Sequence, residues 1–325
     1  MAKYIGRQIS VWLWKETTRW TAVAVGAWLT KTDFSFQEKM ETIQDESSIG
    51  VITDSRDSFV AKRWAEWDIA WNIEVNSFWY ILLWLLWSVS SSVATTWAYS
   101  HAFTLNNTNQ TQSLTIGIDD PWFASDMRFA LWTIESLTIT CEEWKQASFT
   151  VTFKALKGST TTHTVTYPTD YKLLSRMSIF KVASNLAWLS WASASCIKSF
   201  EITFTKNLED DYCLWSQEPR DFLNKQFSIE GSFTAMYENE TDYQTFALAG
   251  TKKAIRFQMI DSSTTIGLSS NPTLTIDLPL CAMTEWSKTQ GNDEVVMQTL
   301  TFKWLYSVAD TSSVNVTLVN TTSTY

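Results

Sequence analysis

Phe149-Thr150-Val151-Thr152-Phe153-Lys154-Ala155-Leu156 sets Phe149, Val151, Phe153 and Ala155 on one face of an extended chain and Thr150, Thr152 and Lys154 on the other. A period of two built from β-branched and aromatic residues predicts a half-buried strand. The chain then repeats itself. Thr299-Leu300-Thr301-Phe302-Lys303-Trp304-Leu305 follows the same pattern at an offset of 149 residues (302 − 153). A strand used twice, once to close each half, predicts two tandem copies of one β-rich unit, residues 1–160 and 161–325.

The remaining segments keep the same order in both halves. In the first, strands are expected over 4–14 and Trp28–Phe36, with a loop over 15–26 between them. A polar arm follows over 37–62, carrying Glu41, Asp45, Glu46, Asp54 and Asp57. It has too few apolar anchors to bury much, and reads as a solvated loop or as an arm that orders against a neighbouring subunit. Glu66–Val75 returns as a strand, and Phe78–Val89 is apolar throughout and reads as a buried helix. Ser90–Ser100 reads as a small-residue connection. The second half answers with strands over Ser178–Val182 and Ile197–Thr205, then an acidic arm over 207–224 with Glu209, Asp210, Asp211, Glu218 and Asp221. Gln226–Tyr237 matches Glu66–Val75, and Tyr243–Ala249 occupies the helix position. The last twenty residues read as a strand or a tail.

Composition narrows the function. A hydrophobic content of 45% with 18% charged residues marks a folded globular protein. The net charge of −9 argues against tight phosphate binding, which needs Lys and Arg to displace counterions. Cys141, Cys196, Cys213 and Cys281 lie far apart without a CxxC pair, so neither a disulfide framework nor a zinc site is expected. No signal peptide is expected at the start, and the twelve-residue apolar run falls short of the about 20 residues that span a bilayer. His101 and His163 have no metal-ligand spacing. No phosphate loop or nucleophile elbow is present. Acidic neighbours such as Asp119-Asp120 point to opposite faces of a strand, which suits solvated turns better than acid/base catalysis. No catalytic site, cofactor or metal is expected.

The tryptophans are out of proportion. There are 19 Trp and 9 Gly, whereas ordinary usage gives about 23 Gly at this length. The indoles crowd where glycine belongs, as in Val11-Trp12-Leu13-Trp14-Lys15 and Glu143-Trp144-Lys145, and each brings an N–H that needs a partner. Aligning Ser228-Ile229-Glu230-Gly231-Ser232 with Asp68-Ile69-Ala70-Trp71-Asn72 sets Trp71 opposite a glycine. This pattern is expected if the gene uses a code in which UGA means glycine, as in some bacterial lineages and their viruses, but is read as if UGA meant tryptophan. Keeping Trp28, Trp64 and Trp286 and restoring the other 16 gives 25 glycines (9 + 16).

With those glycines restored, Ile5 to Ala22 and Trp28-Leu29-Thr30-Lys31-Thr32-Asp33-Phe34-Ser35-Phe36 resemble the major tail tube proteins of long-tailed bacteriophages. So do Asp45-Glu46-Ser47-Ser48-Ile49-Gly50, Lys62-Arg63-Trp64-Ala65-Glu66, Asn224 to Gly231, and Leu278 to Trp286. Thr30 departs from the pattern, which often has Pro there. The resemblance implies an all-β sandwich or barrel with a short flanking helix in each unit, whose sheets join those of neighbouring subunits. It implies a structural virion protein, assembled in the host cytoplasm, that self-assembles into stacked rings. The partners it implies are further copies of the chain, as a pseudo-sixfold trimer or a hexamer, the tape measure protein, and the tail tip and tail terminator proteins. DNA would pass through the lumen without specific binding, and no membrane is involved. The two acidic arms are then the candidate contacts between rings. A carbohydrate-binding or adhesin module, and a capsid decoration or head–tail joining protein, are the alternatives.

Overall fold

The computed structural model describes residues 5–323 apart from 109, 123, 124, 168, 242 and 294. The first half runs β1 (Ser10–Lys15), β2 (Ala27–Leu29), β3 (Lys31–Phe34), β4 (Gln37–Asp45) and β5 (Asp57–Asn72). It continues through α1 (Trp79–Leu86), β6 (Trp87–Thr95), β7 (Ala98–Leu105), β8 (Leu114–Asp119), β9 (Asp126–Glu142), β10 (Ser148–Ala155) and β11 (Ser159–Thr161). The second half runs β12 (Ser178–Ala183), β13 (Ile197–Thr205), β14 (Leu208–Asp211), β15 (Asp221–Asn224) and β16 (Ser228–Met236). Then come α2 (Gln244–Leu248), β17 (Lys253–Ile260), β18 (Thr273–Lys288), β19 (Met297–Trp304) and β20 (Asn315–Asn320). The fold is all-β, and every strand pairing is antiparallel.

β10 is a central strand, flanked by β5 and β9. Its alternation does what the sequence dictates: Val151, Phe153 and Ala155 are fully buried, while Thr150, Thr152 and Lys154 face the other way. β19 is flanked by β16 and β18 in the same manner. The equivalence extends outward, because β1–β8–β9 corresponds to β12–β17–β18, and β3 and β4 on β5 correspond to β13 on β16. Even the irregularity recurs. The β9–β10 ladder skips Glu135 at a bulge and the β18–β19 ladder skips Thr284, which is the same position at the 149-residue offset. A bulge at one fixed place pins register. The two units share one hydrophobic core, and two ladders cross between them, β9 with β13 and β7 with β20.

The register corrects one sequence alignment. Phe302 pairs with Gly231 as Phe153 pairs with Trp67, so Gly231 stands opposite Trp67 and not Trp71. A Cβ at Gly231 would lie 2.5 Å from the Glu201 carbonyl oxygen, so the backbone itself requires glycine there. In the same register Phe34 corresponds to Phe200, since Phe34 pairs with Ile69 as Phe200 pairs with Phe233.

Other expectations shift in detail. α1 is buried on every side, as an apolar run demands, but it stops at Leu86. Trp87 adopts a left-handed φ of 72° and turns the chain into β6. The stretch expected as a small-residue connection is a hairpin, β6–β7, paired from Trp87 with Leu105 to Thr95 with Ala98. The first arm is likewise a hairpin and not a loop, β4 with the start of β5. The strand expected over Trp28–Phe36 divides, with β2 on β1 and β3 on β5. The tail forms β20, which lies between β18 and β7.

The tryptophans carry the strain. Among the described residues seven non-glycine positions have a left-handed φ, and four of them are Trp20, Trp87, Trp97 and Trp144. Such a backbone costs an L-residue about 1–2 kcal/mol and suits glycine. Among the described residues five buried indole N–H groups have no partner: Trp12, Trp71, Trp84, Trp132 and Trp304. All nine belong to the 16 positions suspected from sequence. By contrast, Trp64 donates to Glu66 at 2.7 Å and Trp286 to Gln298 at 3.2 Å.

Candidate assembly surface

The β4–β5 hairpin reaches out beyond the sheet. Ile43 and Phe59 stand directly opposite each other across it, and both are exposed, as are Met40 and, in the turn, Ile49, Val51 and Ile52. Period-two alternation normally hides one face of a hairpin. Here the Ile43–Phe59 pair on one face and Met40 on the other are all uncovered, an exposed apolar cluster of the kind found at interaction surfaces. The acidic residues lie around it. Glu46, Asp54 and Asp57 are exposed at its turn. Asp45 pairs with Arg56 at 2.5 Å, and its bonds from Ser47, reinforced by Arg56, hold its carboxyl below the usual carboxylate range. Glu41 pairs with Lys62 at 3.2 Å.

The second arm folds back on the base of the first. Arg63 N–H donates to the Gln217 carbonyl at 2.8 Å, Gln217 Nε2 donates to the Val60 carbonyl at 2.9 Å, and Lys62 lies over the Tyr212 ring. Asp210 pairs with Lys154 at 3.0 Å and Glu209 with Lys225 at 3.3 Å. The Asp211 carbonyl accepts from Arg220 N–H at 2.6 Å, and the Glu218 carbonyl accepts from the Ser216 hydroxyl at 2.8 Å. Asp221 is buried. It takes Arg19 Nε at 3.0 Å and Gln110 Nε2 at 2.9 Å, and so ties the loop after β1 to the second arm. Of the ten acidic candidates, Asp221 is thus committed inside the fold, while Glu46, Asp54 and Asp57 remain open at the tip of the first arm.

That loop has a second anchor which sequence reading passed over. Glu16 is buried and accepts bonds from the Thr115 hydroxyl at 3.1 Å, Leu131 N–H at 2.9 Å and Trp20 N–H at 3.1 Å, with the Ser113 hydroxyl beside them. Burial still raises its pKa above the ordinary carboxylate value. Buried carboxylates far apart in sequence leave no local pattern to read.

The sheet has one hydroxyl-rich face. A single row runs Thr150, Thr138, Thr203, Glu230, Lys303 across β10, β9, β13, β16 and β19. A second runs Ser148, Thr140, Glu201, Ser232, Thr301, Glu285, ending on β18. The Thr138 and Thr203 hydroxyls lie 3.0 Å apart, as do those of Thr234 and Thr299 at 3.1 Å.

Asp119 meets Asp126, with the charge of Asp120 also close by. Burial, with the hydrogen bond and charge of Asp126, pushes its pKa up to about 6. Asp126 accepts from the backbone N–H of His163 at 2.7 Å, while the ring Nε2 of His163 has no partner. Among the described residues no cluster of His, Cys, Asp and Glu could hold a metal ion, and no helix is long and apolar enough to cross a membrane.

One buried cation matters for stability. Lys206 follows β13, is wholly buried, and donates to the Trp84 carbonyl near the end of α1. Burial, with the charge of Arg19, pushes its pKa down to about 7. Above that value the folded chain has released a proton that the unfolded chain still binds. Stability therefore rises with pH from about 7 towards the ordinary lysine range. Urea unfolding at pH 7 and pH 9.5 is expected to show this gain, and Lys206→Met to remove it; an equal gain in the variant would assign the effect to other groups.

The family model described as phage tail tube protein matches residues 6–303. The chain belongs to the phage tail tube protein family. Members are structural components of the phage tail, which agrees with the all-β fold and with the uncovered surfaces described above. The match runs from the residues before β1 into β19. No curated protein matches the chain.

Proposed function

We propose that this chain is the major tail tube subunit, which self-assembles into rings that stack around the tape measure protein and later let DNA pass. The observation that carries this is a sheet with open edges beside a hairpin arm whose apolar residues are uncovered. Open edges on long strands invite pairing, and a closed ring of subunits removes them. The arm, with Ile43 and Phe59 on its face and Glu46, Asp54 and Asp57 at its turn, is the contact with the next ring. The hydroxyl-rich face is the inner wall. Lys303 there is tied to Glu230 and Lys154 to Asp210, and the net charge of −9 repels phosphates, so DNA slides. No catalytic role is assigned. Tail tip and tail terminator proteins bound the tube at its ends.

Negative-stain electron microscopy of the purified protein tests this. Hollow tubes of uniform width are expected, and Ile43→Asp with Phe59→Asp is expected to leave a folded subunit, by circular dichroism, that forms no tubes. A chain that stays monomeric when concentrated and supplied with a tail-tip nucleus would instead favour a binding module or a joining protein.

We further infer that the natural protein carries glycine at the 16 suspected tryptophans. The four left-handed Trp and the five orphaned indoles support it, since glycine relieves both without altering the backbone path. Peptide mass spectrometry of protein from its own host decides the matter: tryptophan at position 71 or 144 would end the idea. The binding-module alternative draws its aromatic cluster from these same residues, so it weakens with them.

A further inference from the structure

We propose that the cavity at the seam between the two halves binds a small oxoanion that keeps one proton, inorganic hydrogenphosphate by preference, on the ammonium of Lys206. This site is independent of the tube reading.

Alternation puts a lysine where a core residue belongs. In β13 Phe200, Ile202 and Phe204 point inward and are buried, and Lys206 is the next position on that face. Its backbone N–H extends the ladder to the Glu135 carbonyl at 2.9 Å, and Asn207 then turns the chain with a left-handed φ of 49°. The residue is only 2% exposed, and its ammonium donates to the Trp84 carbonyl. Among the described residues no carboxylate forms an ion pair with it. An ammonium carries three N–H donors, so one acceptor leaves two of them unsatisfied. A buried charge in that position either loses its proton or takes a counter-ion.

The cavity beside it supplies the rest of an anion site. Its volume is about 280 Å³. The end of α1 and the turn after β7 wall it from the first half, Lys206 and the passage from β15 to β16 from the second. Lys225 and the amides of Asn106, Asn107, Asn224 and Gln226 join Lys206 on this wall, and none of the described residues lining it is acidic. In a chain with 34 acidic residues against 25 basic, that is a local reversal of charge. The field that keeps a polyanion off the outer surface does not bar one small anion from such a recess. Lys225 is already shared with Glu209 at 3.3 Å, and Arg19 with Asp221, so the uncompensated charge is that of Lys206. The walls are held without any ligand. Asn106 N–H donates to the Leu86 carbonyl at 2.9 Å, and Asn207 Nδ2 to the Gln226 carbonyl at 3.3 Å. Of the lining residues only Trp87 belongs to the suspected sixteen, and glycine there widens the mouth while leaving the polar wall in place.

One atom selects among anions. Asn224 Oδ1 is buried and has no hydrogen-bond partner. An orphaned acceptor needs a donor. Sulfate has none to give at neutral pH. Hydrogenphosphate donates through its one P–OH while its other oxygens accept from Lys206 and the amides. A water occupies about 30 Å³, so the recess holds the ion with a few waters around it. Protonation is linked to binding. Burial, with the charge of Arg19, lowers the Lys206 pKa to about 7, and a bound anion favours return of the proton. Affinity therefore falls about tenfold for each pH unit above 7.

Urea unfolding of the full chain at pH 7 and pH 9, in sodium phosphate, sulfate or chloride at matched ionic strength, tests the site. Phosphate is expected to raise the midpoint saturably at pH 7, binding at least about tenfold more tightly than sulfate, and about a hundredfold more weakly at pH 9. Lys206→Met is expected to abolish the shift, and Asn224→Ala to abolish the preference over sulfate. Equal shifts in all three salts, or a phosphate shift that survives Lys206→Met, would overturn the site. A nucleoside monophosphate that binds more tightly than phosphate would overturn the free ion as its ligand. Should Lys206→Met not fold, hydrogen exchange on the unmodified chain replaces it. Amides within 105–108 and 224–227 are expected to exchange at least about threefold slower in phosphate than in sulfate, and unchanged rates would overturn the site.

Discussion

Glycine at Trp20, Trp87, Trp97 and Trp144 together is expected to raise the free energy of unfolding by about 2–4 kcal/mol. Each of these residues holds a left-handed φ between 65° and 72°. The left-handed backbone costs an L-residue about 1–2 kcal/mol, and glycine returns part of that through the greater freedom of its unfolded chain. Little burial is lost in exchange, since Trp20, Trp97 and Trp144 are exposed and Trp87 half-buried. The contrast lies in the three tryptophans kept as genuine. Trp28 is buried in the sheet beside His163 and Tyr167, and Trp28→Gly is expected to cost about 3–5 kcal/mol through the cavity it leaves. Urea denaturation of the two variants reads both. A loss of stability in the fourfold variant would show that the backbone at these turns does not need glycine, and would count against the recoding.

Asp221→Ala is expected to destabilise the chain by about 3–5 kcal/mol, far more than its place in an acidic arm suggests. The carboxylate is buried, and its removal leaves the Arg19 guanidinium, itself only 14% exposed, without its counter-charge, and Gln110 without its acceptor. A buried charge stripped of its partner costs its full desolvation, whereas an exposed pair costs little when broken. Lys303→Ala, which breaks the exposed pair with Glu230 at 2.6 Å, is the control and is expected to change stability by less than about 1 kcal/mol. Equal losses in the two variants would mean that the Arg19–Asp221 contact does not anchor the loop after β1.

Much of the fold is legible in the sequence because the strands advertise themselves. β10, β13, β16 and β19 alternate strictly, and a 149-residue echo is visible without any partner strand in view. The errors fall where local pattern and tertiary context part. The β4–β5 arm is rich in charge and looked like a loop, yet cross-strand pairing holds it straight while its apolar residues stay in solvent. The β6–β7 hairpin hid behind serines, whose small side chains carry a weak strand signal. The Trp71 alignment slipped by four residues because alternation looks the same at every even shift, and only the hydrogen-bonded register separates them. The acidic residues were found, but not their use: sequence cannot distinguish Asp221, turned inward to Arg19, from Asp54 at an exposed turn. The free edges were legible in part, since β18 and the β3–β4 run repeat strands that are paired elsewhere in the same chain.

The two ladders that cross between the halves carry a mechanical consequence. Seven residue pairs join β9 to β13, and six join β20 to β7 at a separate place in the sheet. A hinge needs a single line about which to turn, and two seams at different places leave none. Any sideways force on the subunit must shear whole ladders at once, not peel them pair by pair. The chain then acts as a stiff stave, and flexure of the filament proposed for it would be confined to the gaps between layers.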